Sequence, residues 1–282
     1  MQHRSTPEIR LIALDLDGTL LDSQKRLSPR NRAALERAAE RGIEIVPATG
    51  RFYNGMPEAV RALPFVQYAI TINGAEVCDL REGRNVYAAE IPVAEAIDIM
   101  RWLDTLPVIY DCYMDDWGWM TASLQSRAAE FTTEAYAVRM LQDLRTPVPE
   151  LKAHLAQVGH DVQKIQLFTP DPALRRTLLK ELGARFPEIA VSSAMEQNVE
   201  INAARANKGD ALLALAAHLG LTTAHTMAFG DGLNDLPMLR AAGIGVAMGN
   251  AVPEAADAAD EQTADCDADG VAVRIEKLFS EE

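Results

Sequence analysis

Two carboxylates stand two residues apart near the start of the chain, directly after an apolar run. Asp15 and Asp17 belong to the segment LIALDLDGTLLD, which covers residues 11–22. Gly18 and Thr19 follow at once, so the chain can turn sharply and a hydroxyl group lies close to both acids. One charge after a strand is ordinary solvation, whereas two charges in this setting indicate a bound cation or an incoming electrophile.

Three further polar clusters occur later in the chain, each at or near the predicted end of a strand. They are Thr49 in ATGR, Lys208 in NKG, and Asp231, Asn234 and Asp235 in GDGLND. Taken singly, each has a simpler explanation, such as turn chemistry, helix entry or a solvated lysine. Ligands of open parallel sheets bind outside the carboxyl ends of the strands, so we expect all four clusters to converge there.

The elements that must position these clusters alternate between short apolar strands and longer helical segments. This alternation is typical of a parallel sheet covered by helices. Strands are predicted at residues 11–15, 43–47 and 226–229, each followed by one of the polar clusters. Ser28 and Pro29 predict the start of the first helix, with serine as the cap and proline in the first turn.

The middle of the chain differs from its two ends. Residues 85–192 still alternate helices and strands, but their predicted strand ends carry no carboxylate clusters. We therefore predict a second α/β domain at 85–192, inserted into a discontinuous core made of residues 1–84 and 193–282. Just before the first junction, Asn73-Gly74 is a strong signal for a two-residue hairpin.

Composition and charge exclude several classes of function. The 282 residues are 48% apolar, which argues against disorder, and their net charge of −14 argues against binding to nucleic acid or anionic membranes. The three cysteines share no metal-ligand spacing and are interpreted as buried or incidental thiols of a reducing compartment. We expect no signal peptide and no membrane span, because the longest apolar stretch, 211–221, is interrupted by His218. A cytoplasmic location is the resulting prediction.

Together, the polar segments resemble the four signatures of the haloacid dehalogenase superfamily. They are DLDGTL at 15–20, ATGR at 48–51, NKG at 207–209 and GDGLND at 230–235. The following stretch, LPMLRAAGIGVAMGNA at 236–251, is similar to the Cof-type branch of sugar- and cofactor-phosphate phosphatases. The resemblance covers residues 9–80 and 195–280 and implies a Rossmann-like parallel sheet core with a large inserted α/β cap domain.

The resemblance implies an Mg²⁺-dependent phosphatase that hydrolyses small phosphate monoesters. Asp15 would attack the phosphorus and form an aspartyl-phosphate, and Asp17 would protonate the leaving oxygen and then activate a water molecule. Because a carboxylate is repelled by a phosphate dianion, Mg²⁺ would first have to neutralise charge. The implied Mg²⁺ ligands are Asp15, Asp17 through its backbone carbonyl, Asp231, and Asp235 in support.

The resemblance also implies a set of residues that bind the transferring phosphoryl group. Thr49 and Lys208 would act catalytically by donating to its oxygens as negative charge builds. Asn234 would either fix Lys208 or touch the substrate. Gly50 and Arg51 complete the set, although a structural ion pair of Arg51 is an equal alternative. The acid at position 17 argues against the dehalogenase and phosphonate-cleaving branches.

The cap would close over the leaving group and set the specificity. Its aromatic residues would stack on a sugar, pyridoxal or flavin ring, while ordinary core packing is the simpler explanation for most of them. A sugar phosphate is the first expectation, ahead of pyridoxal phosphate or flavin mononucleotide. Two alternatives stay open: a phosphotransferase or phosphomutase on the same scaffold, and a non-enzymatic phospho-acceptor domain. The oligomeric state is not predicted.

The sequence departs from the branch pattern before its last helix. Branch members usually carry a segment close to ADYVT at this place, whereas this chain has AADAADEQTADCDADG at residues 255–270. The departure concerns the local strand or loop at this place. We expect the Ala- and Asp-rich segment at residues 251–269 to lie on the solvent face of the core.

Overall fold

The computed structural model describes residues 8–193 and 195–280. Its strands are β1 Leu11–Leu14, β2 Glu44–Pro47, β3 Tyr68–Thr71, β4 Glu76–Asp79, β5 Arg84–Ala88, β6 Ile109–Met114, β7 Trp117–Thr121, β8 Thr146–Val148, β9 Lys164–Phe168, β10 Ile189–Ser192, β11 Asn198–Ala203, β12 Thr226–Gly230, β13 Ile244–Ala247 and β14 Glu261–Gln262. Its helices are α1 Pro29–Glu40, α2 Glu58–Arg61, α3 Val93–Leu103, α4 Ala122–Gln125, α5 Ala128–Phe131, α6 Ala135–Asp143, α7 Leu151–Val158, α8 Pro172–Arg185, α9 Lys208–His218, α10 Leu236–Ala241, α11 Pro253–Ala258 and α12 Gly270–Ser280.

The chain divides into two compact units. The first, called the core unit, ends at Ala88 and resumes at Asn207, and the second, called the inserted unit, runs from Ala89 to Ala206. The sequence placed the inserted segment at 85–192 instead. The difference has a simple cause, because β5 pairs with β4 of the core unit, and β11 pairs with β9 and β10 of the inserted unit.

The main sheet of the core unit contains five parallel strands in the order β14-β13-β12-β1-β2. Strand β1 lies between β12 and β2, and Leu11 pairs with Thr226 on one side and Glu44 on the other. All residues of β1 and β12 are buried, as expected for parallel strands covered on both faces. The predicted Rossmann-like sheet is therefore confirmed, and its strands end at one common edge.

Helix α1 begins as the sequence predicts. The Ser28 hydroxyl accepts the N–H of Asn31 at 3.0 Å, and Pro29 occupies the first turn. The buried Asn31 side chain also donates to the Leu20 carbonyl at 3.2 Å and accepts the N–H of Ala272 at 2.9 Å. This one amide thus ties α1 to α12 and to the loop after β1, which steadies the acidic segment.

The hairpin after β3 is present but longer than predicted. Thr71 pairs with Glu76, so four residues form its loop instead of two. The N–H of Ile72 donates to the Arg51 carbonyl and the N–H of Asn73 donates to the Thr49 carbonyl, both at 3.0 Å. The loop therefore bonds to the chain after β2, and Ile72 is held at a φ of 51°, which is unfavourable for a β-branched residue.

The inserted unit contains a six-stranded sheet in the order β10-β11-β9-β6-β7-β8. All pairs are antiparallel except β7 with β8. Asp115 and Asp116, at φ values of 56° and 53°, form a tight turn between β6 and β7 that reverses the chain. Helices α3, α7 and α8 pack their apolar residues on one face of this sheet. The insertion thus has the predicted helices and strands in an antiparallel arrangement.

The Ala- and Asp-rich segment near the C-terminus forms α11, the edge strand β14 and a short helical turn at Cys266–Ala268. Strand β14 has two residues and, among the residues that the structure describes, pairs with β13 alone, so the unusual composition leaves a minimal strand at this edge. Within residues 8–193 and 195–280, the helices are all too short or too polar to span a lipid bilayer.

Candidate active site

The first acidic loop starts where β1 ends. The N–H of Asp15 donates to the Phe229 carbonyl at 3.0 Å, which extends the pairing with β12 by one residue and buries the Asp15 side chain. Gly18 follows at a φ of +98°, and a Cβ atom there would lie 2.5 Å from Oδ2 of Asp231. Only glycine therefore lets this loop approach the second acidic loop so closely.

The second acidic loop follows β12 and is held from within by Asp235. Oδ2 of Asp235 accepts the N–H groups of Asp231 and Gly232, both at 2.9 Å. The Thr19 hydroxyl donates to Oδ1 of Asp231 at 2.8 Å and so links the two loops. The parallel pairing of β1 with β12 thus brings the predicted acids together, because the carboxyl ends of parallel strands lie at the same edge of the sheet.

Lys208 supplies the positive charge between these loops. It is the first residue of α9, and its predecessor Asn207 caps the helix by accepting the N–H of Asp210 at 2.9 Å. The Lys208 side chain is fully buried, and its Nζ atom lies 2.5 Å from Oδ1 of Asp15 and 2.7 Å from Oδ1 of Asp235. A buried lysine is stable only with such partners, so a solvated surface role is excluded.

The electrostatics of this cluster are dominated by burial. Burial raises the pKa of Asp15 to about 7, with further contributions from the charges of Asp235 and Asp231, against the opposing effect of Lys208. Burial also raises the pKa of Asp231, despite the hydrogen bond from Thr19. For Lys208, burial lowers the pKa, but the charges of Asp15 and Asp235 outweigh it and keep the ammonium protonated. The cluster therefore holds more acids than one cation can balance.

The same three acids fit a hard divalent cation. Asp15, Asp231 and Asp235 can each offer a carboxylate oxygen, and these atoms lie within 4.8 Å of one another. An all-oxygen donor set suits Mg²⁺. Asp235 already uses Oδ1 for Lys208 and Oδ2 for two backbone N–H groups, so its part at such a site is support.

Asp17 is paired with Arg51. The guanidinium donates from Nε and Nη2 to the two carboxylate oxygens of Asp17, both at 2.8 Å, and Lys25 Nζ lies 3.0 Å from Oδ1. Burial raises the pKa of Asp17, but the hydrogen bonds and charge of Arg51 outweigh it, so the pKa is lowered. Of the two roles foreseen for Arg51, the structure shows the ion pair.

The remaining predicted phosphate-binding residues gather around the hairpin loop. Thr49 is buried, and its N–H donates to the Ile70 carbonyl at 2.9 Å. A Cβ atom on Gly50 would lie 2.7 Å from Oδ1 of Asn73, so this backbone is pressed against the loop. Asn234 Nδ2 donates to the same Asn73 oxygen at 3.3 Å, whereas the Lys208 ammonium contacts Asp15 and Asp235.

Sequence reasoning missed the part played by Asn73, which was interpreted only as a hairpin residue. It contacts the Thr49 segment through its backbone and Asn234 through its side chain. The signal was available, because Asn73 is a polar residue just after β3, as Thr49 is after β2 and Asp231 is after β12. Thr19 was likewise interpreted as part of a turn, and its hydroxyl contacts Asp231.

The chain is similar to known proteins over most of its length. A family model for haloacid dehalogenase-like hydrolases matches residues 12–275. Phosphatase YwpJ of Bacillus subtilis is 32% identical over 96% of this chain and 100% of its own length. The 5-amino-6-(5-phospho-D-ribitylamino)uracil phosphatase YcsE, from the same organism, is 30% identical over 96% of each chain. The crystal structure of a haloacid dehalogenase-like hydrolase from Bacteroides thetaiotaomicron superposes with a TM-score of 0.82, at 29% identity over 96% of this chain and 100% of that one. The chain therefore belongs to the haloacid dehalogenase-like hydrolases.

Proposed function

We propose that the protein is an Mg²⁺-dependent phosphatase that hydrolyses small phosphorylated metabolites through an aspartyl-phosphate on Asp15. The observation that carries this proposal is the group of three carboxylates, of which two, Asp15 and Asp235, are buried against the Lys208 ammonium. Nearby relatives that are named phosphatases support it independently. An acidic cluster with one fixed cation suits transfer of a phosphoryl group, which needs positioning and charge neutralisation above all.

Asp15, Asp231 and the backbone carbonyl of Asp17 would hold the Mg²⁺ ion, with Asp235 in support. When bound, the ion supplies the positive charge that lets a carboxylate approach a phosphate dianion. Lys208 holds Oδ1 of Asp15 at 2.5 Å, which leaves the second carboxylate oxygen to face the substrate. Thr49, Gly50 and Lys208 are the groups that we assign to binding the phosphoryl oxygens.

The reaction has two displacements at phosphorus. In the first, an Asp15 oxygen forms a bond to phosphorus, the ester P–O bond breaks, and Asp17 gives its proton to the leaving oxygen. In the second, Asp17 takes a proton from a water molecule that attacks the phosphorus. The bond between phosphorus and Asp15 then breaks, and inorganic phosphate leaves.

Arg51 controls when Asp17 can act as an acid. While the guanidinium holds both carboxylate oxygens, Asp17 stays ionised. A phosphate group offers Arg51 another bidentate acceptor, and the exchange of partners would free Asp17 to carry a proton. Arg51 thus belongs to the substrate-binding set in this proposal, together with Asn234.

We assign substrate specificity to the inserted unit, and we propose a sugar phosphate ahead of pyridoxal phosphate or flavin mononucleotide. The relative YcsE bears the name of a phosphatase for a 5-phospho-D-ribitylamino compound, which supports a small phosphorylated metabolite with a sugar-like chain. A cytoplasmic site of action, with no nucleic-acid or membrane partner, remains the prediction from the acidic composition.

The proposed function is tested with a panel of phosphorylated metabolites and p-nitrophenyl phosphate at saturating Mg²⁺. We expect release of free phosphate, its loss after chelation with EDTA, and recovery when Mg²⁺ is restored. Hydrolysis that persists without a divalent ion would contradict the site. A phosphorylated isomer without free phosphate would instead identify a mutase, and a phospho-Asp15 that lasts without turnover would identify a phospho-acceptor domain.

Asp17→Asn should lower kcat by about 10²–10⁴-fold, because the amide can neither give nor take the proton in the two displacements. The loss should appear in both half-reactions, measured by rapid-quench formation and decay of the phospho-enzyme. Asp22→Asn is the matched control, since Asp22 lies in the same loop but bonds to Gln24 and Arg26. Equal rates for the Asp17 variant and the control would remove the acid–base role.

A further inference from the structure

The loop after β13 contacts both acidic loops of the core unit. Asn250 Nδ2 donates to the Gly18 carbonyl at 2.8 Å, and the N–H of Val252 donates to the Asp231 carbonyl at 2.9 Å. Oδ1 of Asn250 accepts the N–H of Cys266 at 3.0 Å. One amide side chain therefore connects the first acidic loop to the turn that precedes α12.

The position of the Gly18 peptide affects several groups of the proposed metal site. The Gly18 peptide lies directly against Asp231, since a Cβ atom there would meet its carboxylate at 2.5 Å. On one side of this peptide is Asp17, whose carbonyl is a proposed Mg²⁺ ligand. On the other side is Thr19, whose hydroxyl donates to Asp231 at 2.8 Å. A rotation of the Gly18 peptide would consequently move groups on both sides of the proposed metal site.

The far end of this connection is also fixed to the acidic loop. Oδ1 of Asp267, in the turn that contains Cys266, accepts the N–H of Ser23 at 2.8 Å. The turn is therefore attached to the segment after β1 at two points, through Ser23 and, by way of Asn250, through Gly18. Two attachment points restrict rotation of a loop more than one does, because a single contact leaves a hinge.

We propose that Asn250 is a positioning residue that preorganises the Mg²⁺ site by fixing the Gly18 peptide against Asp231. The inference rests on the proposed function for the identity of the ion. Outer contacts of this kind commonly change metal affinity by an order of magnitude without touching the metal. Asn250 is exposed, so its replacement should leave the apolar core unchanged.

Two substitutions separate the bond to Gly18 from the bond to Cys266. Asn250→Ala removes both bonds. Asn250→Asp keeps an oxygen that can accept the Cys266 N–H. It places a carboxylate oxygen against the Gly18 carbonyl, so the hydrogen bond to Gly18 is lost and the two oxygens repel each other, while the bond to Cys266 remains. Asp265→Ala is the matched control, because it deletes the side chain that accepts the Asp267 N–H and leaves both Asn250 bonds in place.

The measurement is the Kd of Mg²⁺ for the full chain, by isothermal titration calorimetry without substrate. Both Asn250 variants should bind Mg²⁺ about tenfold more weakly, and Asp265→Ala should stay within about twofold of the original protein. Thermal denaturation without metal checks that each variant folds. Saturating Mg²⁺ should restore most of the kcat of Asn250→Ala, which a general loss of structure would not allow.

An unchanged Kd in Asn250→Asp, or an equal loss in Asp265→Ala, overturns the inference. Failure of the proposed function looks different. In that case the original protein hydrolyses none of the esters, while Mg²⁺ binding still weakens on substitution of Asn250. Hydrolysis by the original protein together with an unchanged Kd in both Asn250 variants refutes the positioning role alone.

Discussion

Asp15→Asn is expected to abolish hydrolysis of every phosphate ester while leaving the fold intact. The amide is nearly the same size as the carboxylate but is a far weaker nucleophile, so kcat should fall by at least about 10⁴-fold. The measurement is phosphate release at saturating Mg²⁺, together with intact-protein mass spectrometry of quenched reactions. The original protein should gain the mass of one phosphoryl group, and the variant should not.

The same substitution should not destabilise the metal-free protein at neutral pH. The pKa of Asp15 rises from 3.8 to about 7 on folding, chiefly through burial, so the folded state binds this proton more tightly than the unfolded state. The contribution of Asp15 to the stability of the metal-free protein therefore falls as pH increases from the unfolded pKa to the folded one. Asn at position 15 cannot ionise, so this fall should disappear, as thermal denaturation across that range would show.

Asp79→Asn is a matched control for Asp15→Asn. Asp79 lies in the core unit and is 6% exposed, as Asp15 is, but it accepts the N–H groups of Arg81 and Glu82 in a turn. Its variant should retain activity. Retained hydrolysis of p-nitrophenyl phosphate by Asp15→Asn would instead remove the nucleophile assignment.

Lys208→Met is expected to lower both stability and activity. Removal of a fully buried ammonium leaves the carboxylates of Asp15 and Asp235 without their cation, and breaking such a pair typically costs about 3–5 kcal/mol. Loss of the donor to the phosphoryl group should also lower kcat by about 10²–10³-fold. Chemical denaturation at neutral pH and steady-state kinetics measure the two effects.

Arg274→Met distinguishes these effects from a general response to loss of a buried cation. Arg274 is buried in the core unit and pairs with Glu261 of the edge strand β14. Its variant should lose stability but keep kcat, provided that the assay temperature lies below its melting transition. Equal losses of kcat in both variants would contradict a direct role for Lys208. The stability deficit of Lys208→Met should shrink at acid pH, where the Asp15 carboxylate takes up a proton.

Local sequence was sufficient to predict the parallel core. The short runs before Asp15 and Asp231 are mainly apolar and are buried throughout, as strands covered on both faces require, and they end at acids that mark the sheet edge. The predicted start of α1 at Ser28 and Pro29 is also confirmed, because a helix cap depends only on residues within one turn of each other.

Non-local pairing limited the other predictions. The inserted unit extends to Ala206 because β11 pairs with β9 and β10, which no residue near position 192 reveals. The hairpin around Asn73 has four loop residues because the backbone of this loop forms hydrogen bonds with the Thr49 segment. These bonds outweigh the preference of Asn-Gly for a two-residue turn. In both cases the deciding hydrogen bond joins segments that are distant in the chain.

The amino-acid sequence by itself determined which groups are available: five acids or amides and one threonine, each placed after a strand, and one lysine at the start of a helix. Only the tertiary structure decided how they combine, with Lys208 between Asp15 and Asp235 and Arg51 on Asp17. The physical reason is range. Strand and cap preferences act over a few neighbouring residues, whereas the partner of a charge is chosen by the register of strands whose residues lie far apart along the chain.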